Sequence, residues 1–192
     1  MIHELREYTL DIDNAKAYLE LFRDVGMPIR GNEFGRLVGN WTVDGENVKF
    51  VHIWEYESLA DRAAKRALLA QNKAWTGDFL PEAVKRVSTQ FITIMNPVGG
   101  QIVYGDLLHS PDPDGRMLHV FRCRLGKAPR VAAALGWDSK AKNDGIWIGE
   151  FPDPNSVYVL NGDATPIANT DEMDELGVTY AATRRFSAGP HR

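Results

Sequence analysis

The sequence predicts an α+β fold made of two tandem βαββαβ units, each with an antiparallel sheet. Three observations carry that prediction. Between residues 48 and 75 the apolar period switches from two to about three and a half within two residues, so a strand hands over to a helix. Residues 2–95 read strand, helix, strand, strand, helix, strand. Residues 117–188 repeat that order in reduced form. A chain of 192 residues is long enough for one domain or two small ones.

Residues 2–10 alternate as a strand, with Glu4, Arg6 and Tyr8 on one face and His3, Leu5, Glu7 and Thr9 on the other. Leu5 suits a helix-covered face, whereas the Glu4, Arg6, Tyr8 row is unusually polar for the centre of a strand. Asp11 or Asp13 is placed to cap the next helix. Ala15, Tyr18, Leu19, Phe22 and Val25 recur there at steps of three and four, and Gly26 and Pro28 are expected to stop it. A second strand runs from Gly35 to Trp41, and Asp44-Gly45 signals a hairpin turn into a third, Val48 to Tyr56. Phe50, His52, Trp54 and Tyr56 share one face of that strand; Val51, Ile53 and Glu55 share the other. Ser58 and Asp61 have the spacing of a capping box. They open a helix with Ala63, Ala67 and Ala70 on a small-residue face beside Leu59. Its Arg62, Lys65 and Arg66 are expected in water, as surface charges usually are. Trp75 and Phe79 continue as an apolar helical segment into Pro81 to Lys85, and Val87 to Met95 is a fourth strand rich in β-branched residues. This order is the split βαβ, or ferredoxin-like, unit, with two helices on one face of the sheet and the other face bare. A bare face bearing Phe50, Trp54 and Tyr56 needs a cover, and a second such sheet would supply it.

Asn96 to Gly100 reads as a linker, Gln101 to His109 as an extra strand and Ser110 to Gly115 as a surface loop. The second unit follows: a strand from Met117 to Leu125, then a helix from Gly126 to Leu135 with Val131, Ala134 and Leu135 inside. Strands from Trp147 to Phe151 and Val157 to Leu160, an acidic helix from Thr165 to Leu176 and a closing strand from Val178 to Phe186 complete it. Trp147-Ile148-Gly149-Glu150-Phe151 echoes Leu37-Val38-Gly39-Asn40-Trp41, and His119-Val120-Phe121-Arg122 echoes His3-Glu4-Leu5-Arg6. The expected organisation is a first domain over 1–97, a linker with an extra strand over 98–116 and a diverged second domain over 117–192.

Composition narrows the function. A net charge of −4 and the lack of a polybasic tract argue against a general nucleic-acid binder. No apolar run is long enough to span a bilayer, and Ile2-His3-Glu4-Leu5-Arg6 is a charged strand rather than a signal-peptide core. The single Cys123 cannot form an intrachain disulfide; it is expected buried and inert between Arg122 and Arg124. A cytoplasmic location is the expectation. The five histidines have no zinc-site spacing, and there is no dinucleotide fingerprint, P-loop or nucleophile elbow. No metal and no cofactor are therefore predicted.

The first half resembles the NIPSNAP family. The resemblance rests on His3-Glu4-Leu5-Arg6-Glu7-Tyr8, on Leu37-Val38-Gly39-Asn40-Trp41 and on His52-Ile53-Trp54-Glu55-Tyr56 through Ser58-Leu59-Ala60-Asp61-Arg62-Ala63, and continues through Leu68-Leu69-Ala70 and Trp75. It spans residues 2 to about 97; residues 101–192 lack the Leu-Ala-Asp-Arg-Ala helix and resemble a diverged second copy. It implies a dimeric α/β-barrel fold, in which two ferredoxin-like sheets enclose a lumen. The sheets come from two chains or from two halves of one. The resemblance supplies no reaction.

Strand alternation by itself assembles a candidate site. If the Glu4, Arg6, Tyr8 row and the Phe50, His52, Trp54, Tyr56 row point into a lumen, they line an apolar pocket with a few convergent polar groups. His52 would act as general acid or base. Arg6, with Glu4 beside it, would bind a carboxylate or stabilise an oxyanion. Tyr8 and Tyr56 would donate hydrogen bonds, and Trp41 and Trp54 would stack on a planar ligand. The alternative for Glu4 and Arg6 is mutual neutralisation in the core, and for His52 a hydrogen-bonded core position. The function expected is binding of an unknown small molecule, with cofactor-independent acid–base catalysis as its enzymatic form. A non-enzymatic oligomerisation module is the alternative, and haem handling through His52 or His119 the third option. A homodimer is the expected assembly.

Overall fold

A computed structural model describes residues 1–99, 116–136, 143–161 and 170–188. The fold is α+β, two ferredoxin-like units in tandem, the architecture of the dimeric α/β-barrel class. Contacts cluster within Met1–Ile92, joined by the C-terminal residues from Ser187, and within Thr93–Phe186. The expected extra strand over 101–109 and the loop over 110–115 lie outside the described residues.

The first unit starts with β1 (Ile2–Leu10) and α1 (Ile12–Leu21), continued by a π-helical turn (Phe22–Gly26) and a short α2 (Met27–Arg30). Strands β2 (Arg36–Val43) and β3 (Val48–Tyr56) form a hairpin. Helix α3 (Leu59–Leu69), a second π-helical turn (Trp75–Phe79) and α4 (Leu80–Ala83) lead into β4 (Val87–Gly99). The sheet order is β4-β1-β3-β2, with the two-residue β9 (Ser187–Ala188) beside β2. In the second unit β5 (Met117–Cys123), β6 (Asn143–Phe151), β7 (Ser156–Asn161) and β8 (Val178–Arg185) run β8-β5-β7-β6. Helices α5 (Ala128–Gly136) and α6 (Thr170–Leu176) provide its crossovers. Both units therefore share one strand order, as the repeat in the sequence requires.

Four local expectations are corrected. Gly26 and Pro28 do not stop the first helix. Pro28 falls in the first turn of α2, where a missing N–H is tolerated, and the helical path ends at Gly31, which has a φ of 51°. Gly26 is needed for space, because a Cβ there would lie 2.6 Å from the Phe79 ring. Asp11 occupies the cap position of α1 without capping it, and its carboxylate accepts from Ser88 Oγ at 2.9 Å. Asn96–Gly99, expected as linker, continues β4 and pairs with β6. In α5 the buried partner of Val131 and Leu135 is Ala132, and Ala134 faces outward. The predicted cap of α3 is in place: Asp61 N–H donates to Ser58 Oγ at 3.1 Å, and Glu57 N–H donates to the Asp61 carboxylate at 3.0 Å.

The helix-covered face of the second unit is packed as an apolar core, with the bonded pair His119 and Asn161 beside it. Phe121, Val157, Val159 and Ile146 pack with Ala128, Val131 and Leu135 of α5 and Met173 of α6. Cys123 belongs to this core, and burial pushes its thiol up to about 11, so it is inert at neutral pH.

Candidate functional site: a cationic cleft under the helices of the first unit

In the first unit the same face is built differently. The β1–β3 register pairs Glu4 with Trp54, Arg6 with His52 and Tyr8 with Phe50, so the two rows share one face, as alternation demands. That face looks at the unit's own helices, not at a lumen. Tyr18 of α1 meets Tyr8 and Phe50 edge-on, at centroid separations of 6.1 and 5.9 Å. Phe22 lies 4.8 Å from Phe50 and 5.5 Å from His52. Alternation assigns residues to a face but does not say which face the crossover helices cover. Trp41 is a second correction. It pairs with Val51, so it lies on the face of Leu5 and Ile53, away from His52 and Trp54.

Between sheet and helices lies a cleft of about 530 Å³. Its inner end is formed by Arg6, Tyr8, Arg30 and His52, its walls by Tyr18, Phe22, Leu69, Trp75 and Phe79, and its mouth by Arg66, Val84, Ser88, Thr89 and Gln90. The mouth residues Val84, Ser88, Thr89 and Gln90 are exposed, so the cleft opens to solvent.

Charge at the inner end is unbalanced. Glu4 is fully buried and accepts from Arg6 Nε and from Arg62 of α3, and Arg66 lies 3.8 Å away. Burial alone would raise the Glu4 carboxyl, but Arg6 and Arg62 outweigh it and hold it below the usual range. Arg62 is therefore not a solvated surface charge; it reaches from helix to sheet. Arg6 also donates to Tyr8 Oη at 3.0 Å. Arg30, which the sequence reading missed, places its guanidinium 3.5 Å over the Trp54 ring and donates from Nη2 to Tyr56 Oη at 2.7 Å and to the Phe34 carbonyl at 3.1 Å. Tyr56 thus accepts, where it was expected to donate. No carboxylate among the described residues pairs with Arg30, and its buried Nε has no partner there. Burial pulls Arg30 down to about 10, so it remains charged at neutral pH.

His52 is 1% exposed. Trp54 Nε1 donates to its Nδ1 at 2.5 Å. An indole nitrogen can only donate, so Nδ1 must be the acceptor and Nε2 carries the proton. Burial first, then Arg6 and Arg30, pushes the imidazole well below 6.5. His52 is a neutral Nε2–H donor, and no described residue partners that nitrogen. In this state His52 offers the cleft a hydrogen-bond donor, with its acceptor nitrogen already taken by Trp54. Asn40, also missed, sits beside His52 in the β2–β3 register; it is buried, and neither amide atom has a partner among the described residues. The one sequence signal was Arg62 and Arg66, one turn apart and hence on one helix face.

Haem ligation does not fit either histidine. Iron needs an unprotonated ring nitrogen, and His52 Nε2 carries the proton. His119 uses both nitrogens, bonding Thr183 Oγ1 at 2.8 Å and Asn161 Oδ1 at 3.2 Å. Among the described residues no helix is long and apolar enough to cross a membrane.

Comparison with known proteins places this geometry. The NIPSNAP family model matches residues 3–99. The human protein NipSnap homolog 3B is 28% identical over 171 residues, covering 82% of this chain and 65% of the relative, so the chain spans less than two thirds of that protein's length. A solved structure from Agrobacterium tumefaciens is 35% identical over 51% of this chain and 94% of that one, with a TM-score of 0.48. A Fusobacterium nucleatum protein provisionally named a monooxygenase is 10% identical, with a TM-score of 0.61 over 97% of this chain and 91% of that one. A Lactobacillus acidophilus protein named in the same way is 15% identical, with a TM-score of 0.59 over 98% of this chain and 96% of that one. The last two share the fold over nearly the whole length. The family model, which covers half of the sequence and ends at the last residue of β4, fixes the assignment: the chain belongs to the NIPSNAP family.

Proposed function

We propose that this protein binds a small, largely apolar molecule in the cleft of the first unit, with a hydrogen-bond-accepting oxygen of that molecule on His52 Nε2. The observation that carries the reading is the buried, protonated Nε2, without a partner among the described residues, at the inner end of an open cleft. A buried donor left unmade is costly, and an incoming oxygen offsets that cost. The second unit supplies the contrast: on the same face of the same fold Phe121, Val157, Val159 and Ile146 pack against α5 and α6, and the His119 of that face has a partner for each ring nitrogen. The volume lies within the usual range for ligand sites, about 300–1,000 Å³, whereas a module built only for oligomerisation would gain stability by filling it.

If chemistry follows binding, His52 acts as an electrophile on a carbonyl, because no carboxylate lines the cleft among the described residues. The test is a fragment screen by NMR, read on the His52 and Trp75 side-chain resonances. Aromatic ketones and acids are expected to shift both, and His52→Leu should weaken binding about tenfold, the worth of one hydrogen bond. A screen in which no fragment moves either resonance would sink the reading.

A further inference from the structure

Around Glu4, from the inner end of the cleft to its mouth, there is more positive charge than the fold can use. Four guanidinium groups, those of Arg6, Arg30, Arg62 and Arg66, gather around the single carboxylate of Glu4. Three of them already face Glu4, at hydrogen-bond distance for Arg6 and Arg62 and at 3.8 Å for Arg66. Arg30 is the exception. It is 4% exposed, it donates to a phenol oxygen and a peptide carbonyl, and its Nε–H is buried without a partner among the described residues. A buried cation without a counterion is among the least favourable arrangements a fold can contain. The stack on Trp54 compensates only in part. A structural arginine would bring its own acid, as Arg36 does with Glu55 at 2.8 Å.

We infer that Arg30 is the receptor for the carboxylate of an amphipathic organic acid, which makes that class of monoanion the natural ligand of the cleft. This rests on the cleft being a ligand site and names what enters it. The planar guanidinium is fixed by Trp54 beneath, and its Nη2 is committed to Tyr56 and Phe34, so Nη1 and the buried Nε are the donors left for a carboxylate. His52 Nε2–H is a second donor on the same wall. The apolar body of the acid lies against Phe22, Trp75 and Phe79, and Arg66 at the mouth favours entry of an anion.

The test compares 4-phenylbutyrate with its neutral primary amide on the intact chain, by calorimetry at low and moderate salt. The acid is expected to bind at least tenfold more tightly than the amide. Arg30→Gln should abolish that preference, weakening the acid far more than the amide, and Arg30→Lys should restore part of it. Equal binding of acid and amide to the unaltered chain overturns the anion inference alone and leaves the cleft as a binding site for neutral ligands. Binding of neither overturns both. The comparison on the unaltered chain needs no variant, so the inference stays testable even if Arg30→Gln does not fold. If Arg30→Gln folds and keeps the full preference for the acid, Arg30 is not the receptor and the inference fails.

Discussion

At the scale of the residue, Glu4 and the buried histidines decide how the first unit responds to charge. Glu4 is the counterion of Arg6 and Arg62. Glu4→Gln leaves both uncompensated and is expected to cost about 3–5 kcal/mol in urea unfolding, the range for breaking a buried pair from one side; a loss below about 1 kcal/mol would contradict the pairing. The histidines set a different window. Burial, with Arg6 and Arg30, lowers His52, and burial lowers His3 to about 4 against the opposing pull of Glu55. In the unfolded chain both titrate near 6.5. As pH falls below that value the unfolded state takes up protons that the folded state does not. Stability is therefore complete above about pH 6.5 and falls below it by up to about 1.4 kcal/mol per pH unit for each histidine. The contribution of Glu4 is lost at lower pH still, as the solution passes the ordinary carboxyl value of 4.5 and then the lowered folded one. Burial lowers His119 as well, so urea midpoints from about pH 7.5 to 5 should show the slope of three histidines, and His52→Gln should remove about a third of it. A flat profile in the parent chain would mean that these rings are not held neutral.

At the scale of the element, strand faces and helix caps were legible, while close approaches were not. Ser58 and Asp61 announced the start of α3 because a cap is a local interaction within four residues. Gly26 looked like a stop, but its role is set by Phe79, more than fifty residues away in sequence. Gly26→Ala is expected to lower stability by about 1–3 kcal/mol through overpacking, measured by thermal or urea unfolding, and no loss would mean that the Phe79 ring moves aside freely. The internal repeat was legible as an order of elements but misaligned in register. Trp41 lies over Gly39, where a Cβ would come within 2.3 Å of the indole, and Trp147 lies over Gly145, where the distance is 2.2 Å. Gly145-Ile146-Trp147 is thus the counterpart of Gly39-Asn40-Trp41, whereas similarity of residue type had matched Gly149 to Gly39. With that marker and the strand pairings, Val159 stands where His52 does and Ile146 where Asn40 does.

At the scale of the whole molecule, the two units are one architecture with two treatments of the same face. The second fills it with apolar side chains around a fully bonded His119, and the first leaves a cleft with polar groups that have no partner among the described residues. The second unit therefore serves as a guide for stabilising the first. Asn40→Ile, which copies Ile146, removes two buried amide atoms that have no partner among the described residues and is expected to raise stability by about 1 kcal/mol or more, read from urea unfolding. A destabilised variant would show that the Asn40 amide has a role in the free protein. What the sequence determined by itself was local: the period of each element, which side chains share a face, the cap of α3 and the family motifs. These depend on neighbours within a few residues. Only the tertiary structure decided that the helices cover the Arg6–His52 face, that Arg62 reaches Glu4, that Trp54 fixes the His52 tautomer and that Arg30 is buried without an acid. Each of these depends on which face the crossovers pack against and on how far a long side chain reaches between elements, and neither is written in the period of a strand or a helix.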